Sequence, residues 1–133
     1  MDIRDKKVLV IGLAVSGLQT VKALHGLGAR VKVNDRKNEA ELKEAISAIK
    51  GLNVDCVLGG HPTELADWPD FAVISPGIPM DIPMVQRIKE SGREVISEVE
   101  LAYRLTATPI VAITGTNGKT TTTALTGEIF RRS

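Results

Sequence analysis

Aromatic residues are scarce in this chain. Four of them, Trp68, Phe71, Tyr103 and Phe130, are scattered over 133 residues. Binding of single-stranded nucleic acid stacks bases on clustered rings, so this distribution argues against a base-stacking surface. An excess of either charge is also missing. The chain has 17 Lys and Arg against 16 Asp and Glu, a net charge of +1. No broad field draws it to nucleic acid or to an anionic membrane. There is one cysteine, Cys56, so an internal disulfide and a cysteine-based zinc site are excluded. Its place in the apolar stretch from Val54 to Leu58 predicts a buried thiol on a strand. Long apolar runs are absent as well. The opening "MDIRDKKVLV" has charges on both sides of a short apolar run, unlike a signal peptide or a membrane span. The expected setting is the cytoplasm.

What is present is ordinary for a globular protein, with 43% hydrophobic and 25% charged residues. Such a chain can form one domain with a core, or one domain plus part of another. "KVLVI" (Lys7 to Ile11) is a short continuous apolar run that ends at a glycine, as in a strand covered on both faces. Leu18, Val21, Leu24 and Leu27 then recur at helical spacing up to Gly28. "ARVKVND" alternates as a second strand. Asn38 to Gly51 reads as a helix with Asn38 as N-cap and Glu41 three residues on. The pattern repeats through the strands "VDCVLG", "FAVIS" and "REVIS", with a helix over "IPMVQRIKESG" and a connection or short helix over "HPTELADWPD". Alternating β and α segments with short loops predict an α/β fold of three layers, α/β/α and Rossmann-like, around a five-stranded parallel sheet. A helix from Ser97, with Glu100 three residues on, leads to a sixth strand, "PIVAITG", and a final helix from Thr120 to Ser133.

Two segments have phosphate-binding character. The first is Gly12-Leu13-Ala14-Val15-Ser16-Gly17, between the first strand and the first helix. It matches the dinucleotide fingerprint G-x-G-x-x-G except at Ala14, whose methyl stands where the backbone approaches a pyrophosphate. The helix start offers free N–H groups to an anion, with Ser16 as a cap or a hydroxyl donor. The alternative is a tight turn that binds nothing. Asp35 ends the second strand. It reads either as an acceptor for a ribose or base beside that loop, or as an exposed turn residue. Arg36 and Lys37 follow as base or phosphate contacts, or as a solvated pair. Ser75-Pro76-Gly77 ends the fourth strand. It faces the first loop if the first strand is central, and is otherwise a plain turn.

The second segment is "ITGTNGKTTTT" (Ile113 to Thr123). It fails the standard spacing G-x-x-x-x-G-K-[ST], because its glycines lie at Gly115 and Gly118. Its chemistry is still that of a phosphate loop. Backbone N–H groups between the glycines form an anion nest. Lys119 suits β- and γ-phosphate oxygens, and the Thr120 hydroxyl suits Mg²⁺. Four successive threonines are weak helix formers. His25, in a helical pattern, and His61, in a loop without a second ligand nearby, read as ordinary structural histidines.

Together, "VLVIGLAVSGL", "VND", "ISPGIP", "SEVELAYRL" and "PIVAITGTNGKTTTT" resemble the opening segment of the Mur ligases, over essentially the whole chain. The phosphate loop is common to that family and to folylpolyglutamate synthases. The first loop and the Ser-Pro-Gly turn point to the D-glutamate-adding branch, with the L-alanine-adding branch as the alternative. The resemblance implies that residues 1–97 bind the UDP part of UDP-N-acetylmuramoyl-L-alanine. The backbone of Val15, Ser16 and Gly17 would hold the diphosphate. Asp35 and Arg36 would lie near the uracil, and Ser75, Pro76 and Gly77 would line the pocket. Residues 98–133 would begin an ATPase domain, the first β-loop-α unit of a P-loop fold. There Gly115, Thr116, Asn117, Gly118, Lys119, Thr120 and Thr121 would bind ATP with Mg²⁺ on Thr120, and Lys119 would act in catalysis. The family's reaction passes through an acyl phosphate that the D-glutamate amine displaces, in a monomeric cytoplasmic enzyme of peptidoglycan synthesis. It also uses a downstream glutamate, a histidine, a carbamylated lysine and a third domain. The expectation is therefore an N-terminal fragment, inactive by itself, that keeps a weak uridine-nucleotide site. The rival is a non-enzymatic NAD- or ligand-binding Rossmann module, which leaves Gly115 to Thr120 unexplained.

Overall fold

A computed structural model describes residues 1–132. Five parallel strands form one sheet in the order β3-β2-β1-β4-β5: β1 (Lys7–Ile11), β2 (Arg30–Asp35), β3 (Asp55–Leu58), β4 (Phe71–Ile74) and β5 (Val95–Ser97). β1 is central because its run of Val8, Leu9, Val10 and Ile11 has no polar side, and all four are 0% exposed. A strand apolar on both faces is stable only with both faces covered. Val8 and Val10 face one layer with Val31, Val33, Val73 and Ile96. Helices α1 (Val15–Gly26), α2 (Lys43–Ile49) and α4 (Glu98–Leu105) cover that layer with Val21, Leu24, Ile49 and Leu101. Leu9 and Ile11 face the other layer with Ala72 and Ile74. A short 3₁₀ turn (Thr63–Asp67) and helix α3 (Pro83–Glu90) close it with Leu65, Met84, Val85 and Ile88. The expected three-layer α/β/α fold with a five-stranded parallel sheet is thus observed. No helix among the described residues is long and apolar enough to cross a membrane.

Three expectations need correction. Cys56 lies on a strand but is exposed, because β3 is the sheet edge and Cys56 is not in either core cluster. The Asn38–Glu41 box forms reciprocally, with the Glu41 N–H donating to Asn38 Oδ1 and the Asn38 N–H to Glu41 Oε2, both at 3.0 Å. Yet it closes a turn, and regular helix starts only at Lys43. The expected sixth strand, "PIVAITG", is not a strand. A strand needs a neighbour for its backbone hydrogen bonds, and this segment pairs with none of the five. Ile110 and Val111 are 55% and 60% exposed. The helix after it does form, as α5 (Lys119–Arg132), with no buried residue. The predicted last residue of that helix, Ser133, lies outside the described residues.

Helix α4 packs on the sheet through Leu101. Ser97 caps it by accepting the Glu100 N–H at 3.1 Å. Arg104 donates from Nε to Glu100 and reaches back with both terminal nitrogens to Glu94, next to β5. The Glu94 carboxylate is held below its ordinary pKa by those hydrogen bonds. The packed body therefore runs through Leu105. An amide-exchange measurement on dilute monomer should show residues 111–113 losing their protons on the order of a thousandfold or more faster than Val8–Ile11. Equal protection would mean that this segment is paired in solution.

Candidate functional site

The chain leaves β1 at Gly12 and enters α1 at Val15. Gly12 has φ +102, and its N–H donates to the Asn34 carbonyl at 2.8 Å. A side chain at Gly12 would be strained and would meet Ser75 and Ile78 at under 3 Å. Gly17 serves close packing instead, since a Cβ there would lie 2.0 Å from the Gly12 carbonyl oxygen. The first turn of α1 rests directly on the loop. Ala14 precedes the helix in extended conformation, and no side chain caps α1. The N–H groups of its first turn thus have neither an intrahelical partner nor a cap, the arrangement that suits an anion. Ser16 is not the cap. It sits inside the first turn, exposed on the cleft side.

The end of β2 holds this loop in place. Asp35 Oδ2 accepts the Leu13 N–H at 2.7 Å, and Oδ1 accepts the Lys37 N–H at 2.9 Å. Asp35 is thus first a fastener of the glycine loop. Lone pairs on each oxygen remain for a ligand. Beside it Asn34 is fully buried. Its Nδ2 donates to the carbonyls of Val57 and Gly60, both at 2.8 Å, and its Oδ1 lies 2.5 Å from His61 Nδ1. One buried amide therefore ties down the loop after β3.

The opposite wall is the turn after β4. Because β1 and β4 are neighbours, Ser75 stands against Gly12. Ser75 is 6% exposed, and its hydroxyl donates to Glu98 Oε1 at 2.6 Å. Ser75 thus joins the turn to the start of α4, and its hydroxyl is already in use. Pro76, Gly77, Ile78 and Pro79 continue that wall.

These elements enclose a cleft of about 530 Å³ at the carboxyl ends of the strands, within the range of small-molecule sites. Of the expected residues it brings together Ser16, Asp35, Arg36, Ser75, Pro76 and Gly77. Val15 is 83% exposed on an adjoining hollow that shares Ala14, Lys37 and Leu42 with the cleft, and Gly17 is buried behind the loop. Arg36 and Lys37 put two cations at the mouth. His61, read above as merely structural, lines the same cleft. Burial lowers its pKa more than nearby Asp35 raises it, and Arg36 adds to the lowering. Sequence reasoning did not single out Asn34, His61 or Glu98. Asn34 shares its strand face with Lys32 in "VKVND", so alternation gave no signal of its burial.

The second set stands apart. Gly115, Thr116, Asn117, Gly118, Lys119, Thr120 and Thr121 are all exposed, and none lines the cleft. Gly115 and Gly118 have φ +153 and +76, and α5 starts at Lys119. The result is a glycine turn running into a helix N-terminus. No cluster of three or more His, Cys, Asp or Glu suited to a metal exists among the described residues. Thr120 lies in the first turn of α5 and is exposed.

The family description "Mur ligase MurD-like, N-terminal domain" matches residues 6–97. A UDP-N-acetylmuramoylalanine--D-glutamate ligase of Alkaliphilus metalliredigens is 56% identical over 98% of this chain and 29% of its own length. One from Clostridioides difficile is 49% identical over the whole chain and 30% of its own length. The chain thus spans about 30% of the length of these curated relatives. Among solved structures, a pseudomurein peptide ligase type C from Methanothermus fervidus superposes with a TM-score of 0.60 at 30% identity, over 88% of this chain and 24% of that one. Shikimate dehydrogenase from Aquifex aeolicus, at TM-score 0.51 and 17% identity over 76% of this chain and 45% of that one, shares the fold alone.

Proposed function

Because the chain belongs to the MurD-like Mur ligases through its N-terminal domain, we propose that its cleft binds the UDP part of UDP-N-acetylmuramoyl-L-alanine. The whole enzyme would join D-glutamate to that substrate in the cytoplasm, for peptidoglycan synthesis. One observation carries the reading. The uncapped start of α1, the Asp35 carboxylate and the cations of Arg36 and Lys37 converge on a single cleft at the sheet's switch point. The helix start and the cations suit a diphosphate, and the carboxylate suits a hydroxyl or ring N–H. Residues 1–97 would form this substrate domain, and residues 98–133 would begin the ATP-binding one.

In that second part, Gly115 to Thr121 would cradle the phosphates of ATP, Lys119 would neutralise them, and Thr120 would give Mg²⁺ one ligand. When bound, the nucleotide supplies the phosphoryl group that activates a carboxylate. The glycine turn at a helix start supports this assignment, and the chain spans about 30% of the length of its curated relatives. The chain by itself should therefore bind UDP and show no ligase turnover.

The test is a side-by-side NMR titration of the chain with UDP and NAD⁺. UDP at millimolar concentration should shift the amides of Ala14–Gly17, Asp35–Lys37 and Gly77–Ile78, with NAD⁺ weaker by at least roughly tenfold. Preferential binding of NAD⁺ would favour a dinucleotide-binding module. No shift with either would leave the cleft without a nucleotide role.

A further inference from the structure

We propose that His61 Nε2 is a recognition group of this cleft, accepting an N–H or O–H from the nucleoside part of the bound nucleotide. The inference rests on the UDP reading above and adds a specificity residue to it. The Asn34 amide has only one workable orientation. Its Nδ2 faces two carbonyls, of Val57 and Gly60, so both of its protons are in use. Oδ1 must then be the atom facing His61 Nδ1, and it can only accept. Nδ1 therefore carries the imidazole proton, and in the neutral ring Nε2 is a bare acceptor.

Nε2 is also open. Among the described residues no partner meets it, and no buried side-chain nitrogen or oxygen lacks one. An unpartnered Nε2 must then reach solvent, on a residue that lines the cleft. The other side-chain acceptors of the cleft differ in kind: each Asp35 oxygen already accepts one backbone N–H, and the Ser16 hydroxyl can turn to donate or accept. Arg36 and Lys37 only donate, and the Ser75 hydroxyl serves Glu98. The facing wall, Ser75 to Ile82, contributes no charged side chain to the lining.

The charged groups near His61 are Asp35 and Arg36, with Lys37 in the same cleft. Desolvation prevails over Asp35, so the ring is neutral at neutral pH and titrates below the ordinary 6.5. Protonation would leave the Nδ1–H bond to Asn34 intact and abolish the acceptor. Affinity is then full above the His61 pKa and lost as pH falls through it.

The experiment measures Kd for UDP, N3-methyl-UDP and 2′,3′-dideoxy-UDP on the chain and on His61→Asn. Asparagine can still donate to Asn34 and has nothing in place of Nε2. At pH 8 the substitution should weaken UDP binding about tenfold, the worth of one hydrogen bond to a ligand. The analogue lacking the partnered donor should already be weakened in the unsubstituted chain and be indifferent to the substitution. N3-methyl-UDP in that role assigns the base, and the dideoxy analogue assigns the ribose. The ratio of the two proteins' affinities cancels the ligand's own titration, and should shrink toward one by pH 5. Equal UDP affinity of both proteins at pH 8, or a pH-independent ratio, overturns the inference while the UDP reading stands. No UDP binding by the unsubstituted chain overturns both. If His61→Asn does not fold, ¹⁵N shifts of the unsubstituted imidazole decide. Nε2 must have an unprotonated shift that moves when UDP is added, and a stationary Nε2 refutes the proposal.

Discussion

Gly17→Ala should destabilise the protein by about 3 kcal/mol, near the upper end for overpacking. The added methyl would lie 2.0 Å from the Gly12 carbonyl oxygen, which is backbone. A side chain can turn aside, but here relief requires α1 to lift from β1. That movement also parts Val21 and Leu24, both 0% exposed, from the sheet. Urea denaturation measures the loss. Gly26→Ala, in the same helix with nothing within 4 Å of its new Cβ, should be neutral or stabilising by up to about 1 kcal/mol. UDP binding should fall with the first substitution and not with the second. Similar stability for both variants would show that the helix start is not seated as described.

Asn34→Leu is the second large effect, expected at about 4 kcal/mol, because a buried hydrogen-bonding group left unpaired costs roughly 1–3 kcal/mol. Leucine has similar volume, so packing is largely kept. The carbonyls of Val57 and Gly60 would lose their donor, and the His61 Nδ1–H its acceptor. Asn34→Asp should also be harmful, since it turns an oxygen toward two carbonyl oxygens. Urea midpoints give the stability, and amide exchange at Gly59–His61 should accelerate well before that of β1. A loss under about 1 kcal/mol for both variants would mean that water replaces the amide.

Much of the fold was legible because its signals are local. A continuous apolar run marked β1 as doubly covered. Ser97 and Glu100 marked the start of α4, and Gly12 and Gly17 marked the strand-to-helix turn. What failed depended on neighbours. "PIVAITG" has the composition of a strand, but composition cannot provide an adjacent edge to pair with. Cys56 lies in a strand as expected, but its exposure follows from β3 being outermost. Asp35 was read for its ligand chemistry. That both its oxygens accept backbone N–H groups depends on where Leu13 and Lys37 come to rest. His61 looked solitary because its partner, Asn34, is distant along the chain.

By itself, the sequence determined the alternation of strands and helices through Leu105, the anion-suited turn at Gly12–Gly17 and the glycine turn before the last helix at Gly115–Thr120. These depend on periodicity, on residues that allow an unusual backbone, and on side-chain types at short spacing. Only the tertiary structure decided that β1 lies between β2 and β4, and so brought Gly12, Asp35, His61 and Ser75 into one cleft. It also decided that Asn34 sets the tautomer of His61, and that Lys119 and Thr120 stay outside that cleft. The physical reason is that strand order and hydrogen-bond partnership are relations between distant segments. They follow from the burial of the whole sheet, which no short window of residues contains.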